Sequence, residues 1–245
     1  MPDVGLLALD WPLPPGVHAA STTRLGGASA GVFGGFNLGD HVGDDPRAVA
    51  ANRATLMRTL ALPSPPAWLT QVHGCAVAGP DDPPGIAADA RYADQPGRVC
   101  AVLTADCLPL LLCSDDGREV AAVHCGWRGL AAGIVACAVA RFVTPVSAIS
   151  AWLGPAIGPA AFEVGAEVRR AFVDVDAGAA ACFVAGDRGR WFADLFAIAR
   201  RALAGAGVRR IHGGGVCTMS DPQRFYSYRR DHRTGRMASL VWRDI

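Results

Sequence analysis

Lysine is absent from this chain of 245 residues, so all 23 of its basic residues are arginine. A lysine Schiff base and a P-loop lysine are therefore excluded as catalytic groups. Glutamate is scarce as well, since only Glu119, Glu163 and Glu167 occur. The formal net charge is +1, so no electrostatic feature favours a nucleic acid or an anionic membrane as a partner.

Long apolar runs are also missing, and this argues against a membrane span because no window approaches eighteen uninterrupted apolar residues. The first residues lack the basic stretch and the long apolar segment of a signal peptide. The eight cysteines are irregularly spaced without a C-x-x-C pair, so a structural zinc finger is not expected. We therefore expect a cytoplasmic protein with reduced thiols.

What the chain does contain is the composition of a globular protein, with 51% hydrophobic and 18% charged residues. Its length suits one large domain with a sizeable core. We expect residues 1–245 to form a single catalytic domain.

Short apolar runs in the middle of the chain predict buried strands over 99–103, 108–113 and 120–124, each bounded by turn residues. Helices and strands mix without strict alternation, and no G-x-G-x-x-G motif follows a strand. The pattern favours an α+β sandwich over a doubly wound sheet.

Two helices flank this strand-rich region. Asp45 and Pro46 predict the start of a helix that runs to about Leu60, because aspartate caps a helix and proline suits its first turn. Helical spacing of apolar residues predicts a second helix over 127–142, directly after the third strand. A later helix is predicted over 192–203.

Three separate segments offer metal-ligand side chains, namely His73, Cys107 and His124. They lie too far apart for one local motif, but their separations suit ligands on neighbouring strands of one sheet. Three protein ligands leave a tetrahedral zinc ion one open position, which is typical of a catalytic site. The same cysteine and histidines can instead form a nucleophile–base pair. Both interpretations indicate an enzyme.

Polar residues beside these ligands suggest further roles. Arg128 lies at the predicted helix start, where free backbone N–H groups favour an anion and a guanidinium adds a bidentate phosphate donor. The alternative is an arginine that simply faces solvent. Asp106 can orient a metal-bound imidazole or hydrogen-bond a turn. The aromatic and basic segment 225–230 can stack a base or form an amphipathic strand.

Several longer motifs occur in the order typical of the YfiH/laccase-domain family, which the chain resembles over nearly its whole length. The motifs are Ser21-Thr22-Thr23-Arg24-x-Gly26-Gly27, Asn37-Leu38-Gly39, Val42-Gly43-Asp44, Gln71-Val72-His73-Gly74, Thr104-Ala105-Asp106-Cys107-Leu108-Pro109, His124-x-Gly126-Trp127-Arg128-Gly129, Leu153-Gly154-Pro155-Ala156-Ile157-Gly158, Phe225-Tyr226-Ser227-Tyr228-Arg229-Arg230 and Thr234-Gly235-Arg236-Met237-Ala238-Ser239.

This family was formerly called polyphenol oxidases and is now called purine nucleoside phosphorylases. The resemblance implies a single mixed α/β sandwich, related to some bacterial cysteine-hydrolase toxins. It implies that His73, Cys107 and His124 bind zinc, with copper as an alternative metal. It further implies that adenosine, inosine and 5′-methylthioadenosine react with phosphate, and that adenosine is also deaminated.

Residue roles follow from the matching motifs. Cys107, His124 and Arg128 are the expected catalytic residues. The substrate-binding residues that we expect are Arg24, Asn37, Gln71, Tyr228 and Arg229. We expect a monomer that binds a purine nucleoside and phosphate.

Two other activities stay open at this point. A copper oxidoreductase of phenols needs many histidines, often as His-x-His pairs, whereas this chain has six histidines and no such pair. A metal-free hydrolase would use Cys107 as nucleophile on an amide or a sugar-nucleotide precursor. A non-catalytic binding module is less in keeping with an open three-ligand site. One departure from the family is Cys125, where alanine is usual, because a second thiol beside His124 could compete for the metal.

Overall fold

The computed structural model describes residues 4–244. Its strands are β1 (Val17–Ser21), β2 (Val77–Ala78), β3 (Ala90–Ala93), β4 (Val99–Thr104), β5 (Leu108–Ser114), β6 (Val120–Cys125), β7 (Ile149–Leu153), β8 (Glu163–Val164), β9 (Phe183–Ala185), β10 (Trp191–Ala193), β11 (Arg210–Gly213) and β12 (Met237–Arg243). Its α-helices are α1 (Pro46–Thr59), α2 (Trp127–Ala131), α3 (Ile134–Val139), α4 (Ala166–Val173), α5 (Leu195–Gly205) and α6 (Tyr228–Asp231).

The larger sheet has six strands in the order β11-β7-β5-β6-β3-β2. Its central strands β7, β5, β6 and β3 are antiparallel to one another, while the edge strand β11 pairs in parallel with β7 and the edge strand β2 in parallel with β3. A smaller sheet has the order β1-β12-β4 and is antiparallel throughout. A third, short sheet contains β8, β10 and β9.

The two principal sheets pack face to face, and period-two alternation along each strand builds the layers. Leu111 of β5 and Val102 of β4 lie in the core between the sheets. Leu110 of β5 points the opposite way, into the core under α2 to α5. Leu103 of β4 points outward beneath α1, which contributes Leu56. The result is a four-layer arrangement of helix, sheet, sheet and helices.

This mixed α/β sandwich confirms the predicted fold class. The three predicted central strands are present as β4, β5 and β6, each slightly longer than expected and buried along its whole length. The predicted first helix is α1, and the carboxylate of Asp45 accepts a hydrogen bond from the backbone N–H of Arg47 at its start.

The single helix predicted over 127–142 is wrong, because α2 and α3 are separate. Gly133 lies between them with φ +87°, a left-handed conformation that breaks the helix and that glycine adopts without strain. The helix predicted over 192–203 begins later, at Leu195. Its first predicted residues belong to β10, and Asp194 caps α5 through the N–H of Ala197.

The sandwich brings its two sheets together at one edge. Strand β4 ends at Thr104 in the smaller sheet and β5 begins at Leu108 in the larger one, so residues 105–107 cross between the sheets. Within residues 4–244, the structure contains no helix long and apolar enough to traverse a lipid bilayer.

Candidate metal centre

The hairpin of β5 and β6 places two of the predicted ligands side by side. Cys107 directly precedes β5, and His124 lies near the end of β6, opposite Pro109 in the antiparallel register. His73 comes from a loop before β2 rather than from a strand. Of the three ligands expected on neighbouring strands, His124 therefore lies on a strand and Cys107 lies directly before the neighbouring strand, whereas His73 lies in a loop.

Two non-glycine residues of this region have left-handed backbone conformations. His73 has φ +61° and Asp106, next to Cys107, has φ +91°. Such conformations cost free energy in residues with a side chain, and they persist where surrounding contacts fix them. Both strained residues thus lie at or beside a predicted ligand.

The three ligand atoms converge on one point, because they all lie within 4.8 Å of one another. The Nε2 of His73 is 3.9 Å from the Sγ of Cys107. The two imidazole rings meet edge to face, with 4.8 Å between their centroids. His124 is buried, Cys107 is half-buried and His73 is exposed, so the group is closed at the back and open toward solvent.

Asp89, which was not predicted from the sequence, fixes the positions of His124 and of the loop that carries His73. Its fully buried carboxylate accepts a 2.8 Å hydrogen bond from Nδ1 of His124, which leaves Nε2 for a metal. The same carboxylate accepts backbone N–H bonds from Val72, His73 and Gly74. These hydrogen bonds hold the pKa of Asp89 below its usual range although burial opposes this. One side chain therefore orients two ligands.

Two glycines let the His73 loop approach the start of α2. A Cβ on Gly126 would lie 2.8 Å from the His73 ring and 3.2 Å from the Sγ of Cys107. A Cβ on Gly129 would lie 2.9 Å from the carbonyl oxygen of Gly74. Any side chain at either position would displace the loop, which explains the glycines of the His-x-Gly-Trp-Arg-Gly segment.

The Cys107 thiol and the His124 imidazole titrate as a pair. Burial raises the pKa of a thiol, but the charge and hydrogen bond of His124, aided by His73, lower the pKa of Cys107 to about 6. Burial acts to lower the pKa of His124, whereas Cys107 and Asp89 raise it to about 9. At neutral pH the metal-free site therefore holds a thiolate, which is the form that binds zinc.

Iodoacetamide should accordingly alkylate Cys107 of metal-free protein at a lower pH than it alkylates an ordinary thiol. Because the thiolate is the nucleophile, the rate should rise with pH and reach half of its plateau near pH 6. Mass spectrometry of the peptide containing Cys107 measures this rate, and Cys107→Ala is the control. A half-maximal rate above pH 8 would show an ordinary thiol and contradict the pairing with His124.

A cavity of about 650 Å³ opens beside the ligand trio, a size that suits a small-molecule site. Apolar side chains form much of its wall, including Leu69, Ile157, Phe162 and Leu195. Three arginines, Arg128, Arg229 and Arg236, also line it. The carboxylates of Asp40 and Asp106 line it as well. The cavity therefore combines an apolar surface with charged groups, three cations and two anions, next to the three converging ligands.

Three of the five predicted substrate-binding residues line this cavity, namely Gln71, Tyr228 and Arg229. The amide of Gln71 also bonds both backbone groups of Leu103, which ties the His73 loop to β4. Arg128 lines the cavity too, at the second position of α2, with its guanidinium 4.5 Å from the Trp127 ring centroid.

The other two predicted substrate-binding residues are not among those that line the cavity. The guanidinium of Arg24 donates to the carbonyls of Gly34 and Pro222 and lies over the Tyr226 ring. Asn37 is completely buried, and its amide oxygen accepts from the backbone N–H groups of Gly39 and Arg236. Asn37 thus holds the backbone of Arg236, one of the cavity arginines, in place.

Asp106 takes the second of its two predicted roles. Its carboxylate accepts hydrogen bonds from the hydroxyls of Thr218 and Ser227 and from the backbone N–H of Arg229. It orders the start of α6, which carries Arg229, whereas Asp89 orients the imidazole of His124. The segment 225–230 forms a loop and the single turn of α6 rather than a strand.

Cys125 is separated from the ligands by the alternation of β6. It is fully buried in the core under the helices, on the face opposite to His124. Burial raises its pKa, so the thiol stays protonated. A protonated thiol on the far face of the strand is poorly placed to compete for a metal.

Comparison with known proteins shows the family to which the chain belongs. The sequence profile described as "Multi-copper polyphenol oxidoreductase laccase" matches residues 18–244. The chain belongs to this laccase-like family. A relative from Shigella flexneri, named "Purine nucleoside phosphorylase YfiH", is 52% identical over 240 residues, which are 97% of this chain and 98% of that protein. The Escherichia coli protein of the same name is 51% identical over 240 residues, with the same two coverages.

Solved structures of similar proteins have the same fold. A Neisseria meningitidis protein assigned to DUF152 superposes with a TM-score of 0.94 at 43% identity, covering 98% of this chain and all of that one. YlmD from Geobacillus stearothermophilus superposes with a TM-score of 0.88 at 30% identity, covering 98% of this chain and 97% of that one. The resemblance stated from the motifs is confirmed.

Proposed function

We propose that this protein is a zinc-dependent purine nucleoside phosphorylase that acts on adenosine, inosine and 5′-methylthioadenosine and also deaminates adenosine. The observation that carries the proposal is the convergence of His73, Cys107 and His124 on the wall of a cavity that three arginines line. The names of the closely similar relatives support phosphorolysis of purine nucleosides.

The donor set fits zinc. Two imidazole nitrogens and one thiolate are ligands that zinc prefers, and three of them leave a fourth position open. The hydrogen bond from His124 to Asp89 fixes the tautomer that offers Nε2 to the ion. When bound, zinc supplies Lewis-acid chemistry at this wall of the cavity. Copper accepts the same ligands, so metal analysis decides between the two ions.

Phosphorolysis requires the chain to bring two reactants together. An oxygen of hydrogen phosphate forms a bond to C1′ of the ribose while the bond from C1′ to N9 breaks. The bonding electrons leave with the purine, which takes up the proton that the phosphate gives up. Arg128, Arg229 and Arg236 provide cations for the phosphate. The apolar wall around Ile157 and Phe162 offers contacts for a purine and excludes water.

Incubating the pure protein with inosine tests this function. Hypoxanthine and ribose 1-phosphate should appear together and only when phosphate is present. Chromatography of the products at several zinc and copper loads measures the yield and identifies the metal that supports turnover. Absence of both products at every metal load would rule the proposed function out.

A metal-free cysteine hydrolase is a second candidate, because the structure aligns a thiol, an imidazole and a buried carboxylate. Cys107, His124 and Asp89 stand in the order nucleophile, base and orienting carboxylate. Zinc decides between the two functions: if it blocks alkylation of Cys107, the thiolate is a ligand, and if alkylation proceeds in the presence of zinc, the hydrolase is favoured. By contrast, the residues described hold a single candidate cluster of metal ligands, which does not favour a multicopper oxidase.

A further inference from the structure

The three cavity arginines contrast with eight other arginines of the protein that form ion pairs with carboxylates. Arg201, for example, pairs with Asp176 and Arg210 with Asp115 at the surface. Among residues 4–244, no carboxylate lies within ion-pair distance of the three arginines that line the cavity. No direct ion pair therefore neutralises their charges, which can attract an anion that enters the cavity.

Arg236 is the most firmly held of the three. Its guanidinium donates from one nitrogen to the carbonyls of Thr234 and Gly235, at 2.9 and 3.0 Å. Its backbone N–H donates to the amide oxygen of Asn37 at 2.8 Å. Its aliphatic stem packs on Gly39, where a Cβ would lie only 2.8 Å from the Cγ of Arg236. Neutral contacts thus fix the side chain without cancelling its charge.

Arg229 is held in a similar way. Its guanidinium donates to the carbonyl of Glu163 at 2.8 Å and lies 5.4 Å from the centroid of the Phe162 ring. Its backbone N–H bonds Asp106, the residue before the ligand Cys107. Arg128, by contrast, is exposed, and its guanidinium lies over the ring of its neighbour Trp127.

We propose that Arg236, assisted by Arg229, forms the subsite that binds inorganic phosphate beside the ligand trio, and that Arg128 contributes less. This inference rests on the proposed phosphorolysis and names its phosphate site. A half-buried guanidinium that is already fixed loses less side-chain entropy on binding and is less screened by water than an exposed one. Two such cations suit the tetrahedral dianion that has to be held near the ribose.

The test uses the full chain loaded with zinc and the variants Arg236→Met and Arg236→Lys. Calorimetric titration with inorganic phosphate alone measures the subsite without any turnover. Loss of a charge-assisted, bidentate contact should weaken phosphate binding about 10- to 100-fold in Arg236→Met. Arg236→Lys keeps the charge but lacks the planar, bidentate guanidinium. Its phosphate affinity should therefore fall between that of Arg236→Met and that of the natural protein.

Controls separate this effect from damage to the fold. Arg118→Met changes an exposed arginine in the turn at the opposite end of the β5–β6 hairpin and should bind phosphate normally. Arg128→Met should weaken phosphate binding less than Arg236→Met does. In the inosine assay, Arg236→Met should raise the KM for phosphate by a similar 10- to 100-fold factor and change the KM for inosine by less than about threefold.

The results of the binding and activity assays test the phosphate subsite separately from the proposed phosphorolysis. Unchanged phosphate affinity in folded Arg236→Met and Arg236→Lys protein would overturn the subsite, even if inosine is phosphorolysed. Loss of phosphate binding in these variants would support the subsite, even if no nucleoside reacts and the proposed function fails. Binding of adenosine 5′-monophosphate that depends on Arg236, without binding of inorganic phosphate, would overturn the assignment to free phosphate.

Discussion

Replacing Cys107 with alanine is expected to abolish zinc binding and purine phosphorolysis while the fold stays intact. The thiolate is the one anionic ligand in the trio, so its loss removes both a bond and the charge that balances the ion. The decrease in zinc affinity should exceed the roughly 100-fold that loss of an outer-shell partner can cost. Zinc stoichiometry by elemental analysis and circular dichroism measure the two effects.

Four further variants place this result in context. His73→Ala and His124→Ala should also lose zinc, because each removes one of the converging nitrogen ligands. Arg128→Ala should keep zinc and lose some phosphate use. Cys125→Ala is the matched control, since it removes a neighbouring thiol that points into the core, and it should bind zinc normally. Full zinc occupancy in His73→Ala together with loss of zinc in Cys125→Ala would mean that the ligand set is wrong.

Asp89→Asn should lower zinc affinity about 10- to 100-fold although every ligand atom remains. An amide cannot accept hydrogen bonds at both of its ends, so it cannot serve the His124 ring and the three N–H groups of the His73 loop as the carboxylate does. The free energy of unfolding should also fall by about 2 kcal/mol, because charge-assisted hydrogen bonds are lost. Zinc titration and urea denaturation test these expectations separately.

Glu119→Gln provides the control for Asp89→Asn. Glu119 is also a buried carboxylate with several donors, among them the hydroxyl of Tyr92 and the N–H groups of Val143 and Thr144. It lies at the far end of the same hairpin, just before β6. This variant should lose stability and keep its zinc affinity. An equal loss of zinc affinity in both variants would attribute the effect of Asp89→Asn to general destabilisation.

The central strands could be predicted from sequence because both of their faces are buried. A strand such as β5 packs Leu110 against helices and Leu111 against the second sheet, so its sequence is an uninterrupted apolar run. Strand β1 gave no such signal, since it lies in a region rich in turn residues and His18 is largely exposed. The break between α2 and α3 depends on the conformation of Gly133, which apolar spacing does not report.

The ligand trio could be predicted because metal-binding side chains occur in motifs that resemble those of a family. The residues that organise it carry no comparable signal. Asp89 lies between two alanines, and its role follows only from the folding of the His73 loop against β3 and β6. The position of Arg236 in the cavity likewise depends on its packing against Gly39 and Asn37, almost two hundred residues earlier in the chain.

Titration of zinc into metal-free protein, with inosine and phosphate present, tests the central claim most directly. Three converging ligands predict that the rate of hypoxanthine release rises linearly with added zinc and stops rising at one equivalent per chain. The Cys107→Ala protein should show no increase over the same range. Full activity before any metal is added, or a rise that continues well beyond one equivalent, would contradict a single catalytic zinc held by His73, Cys107 and His124.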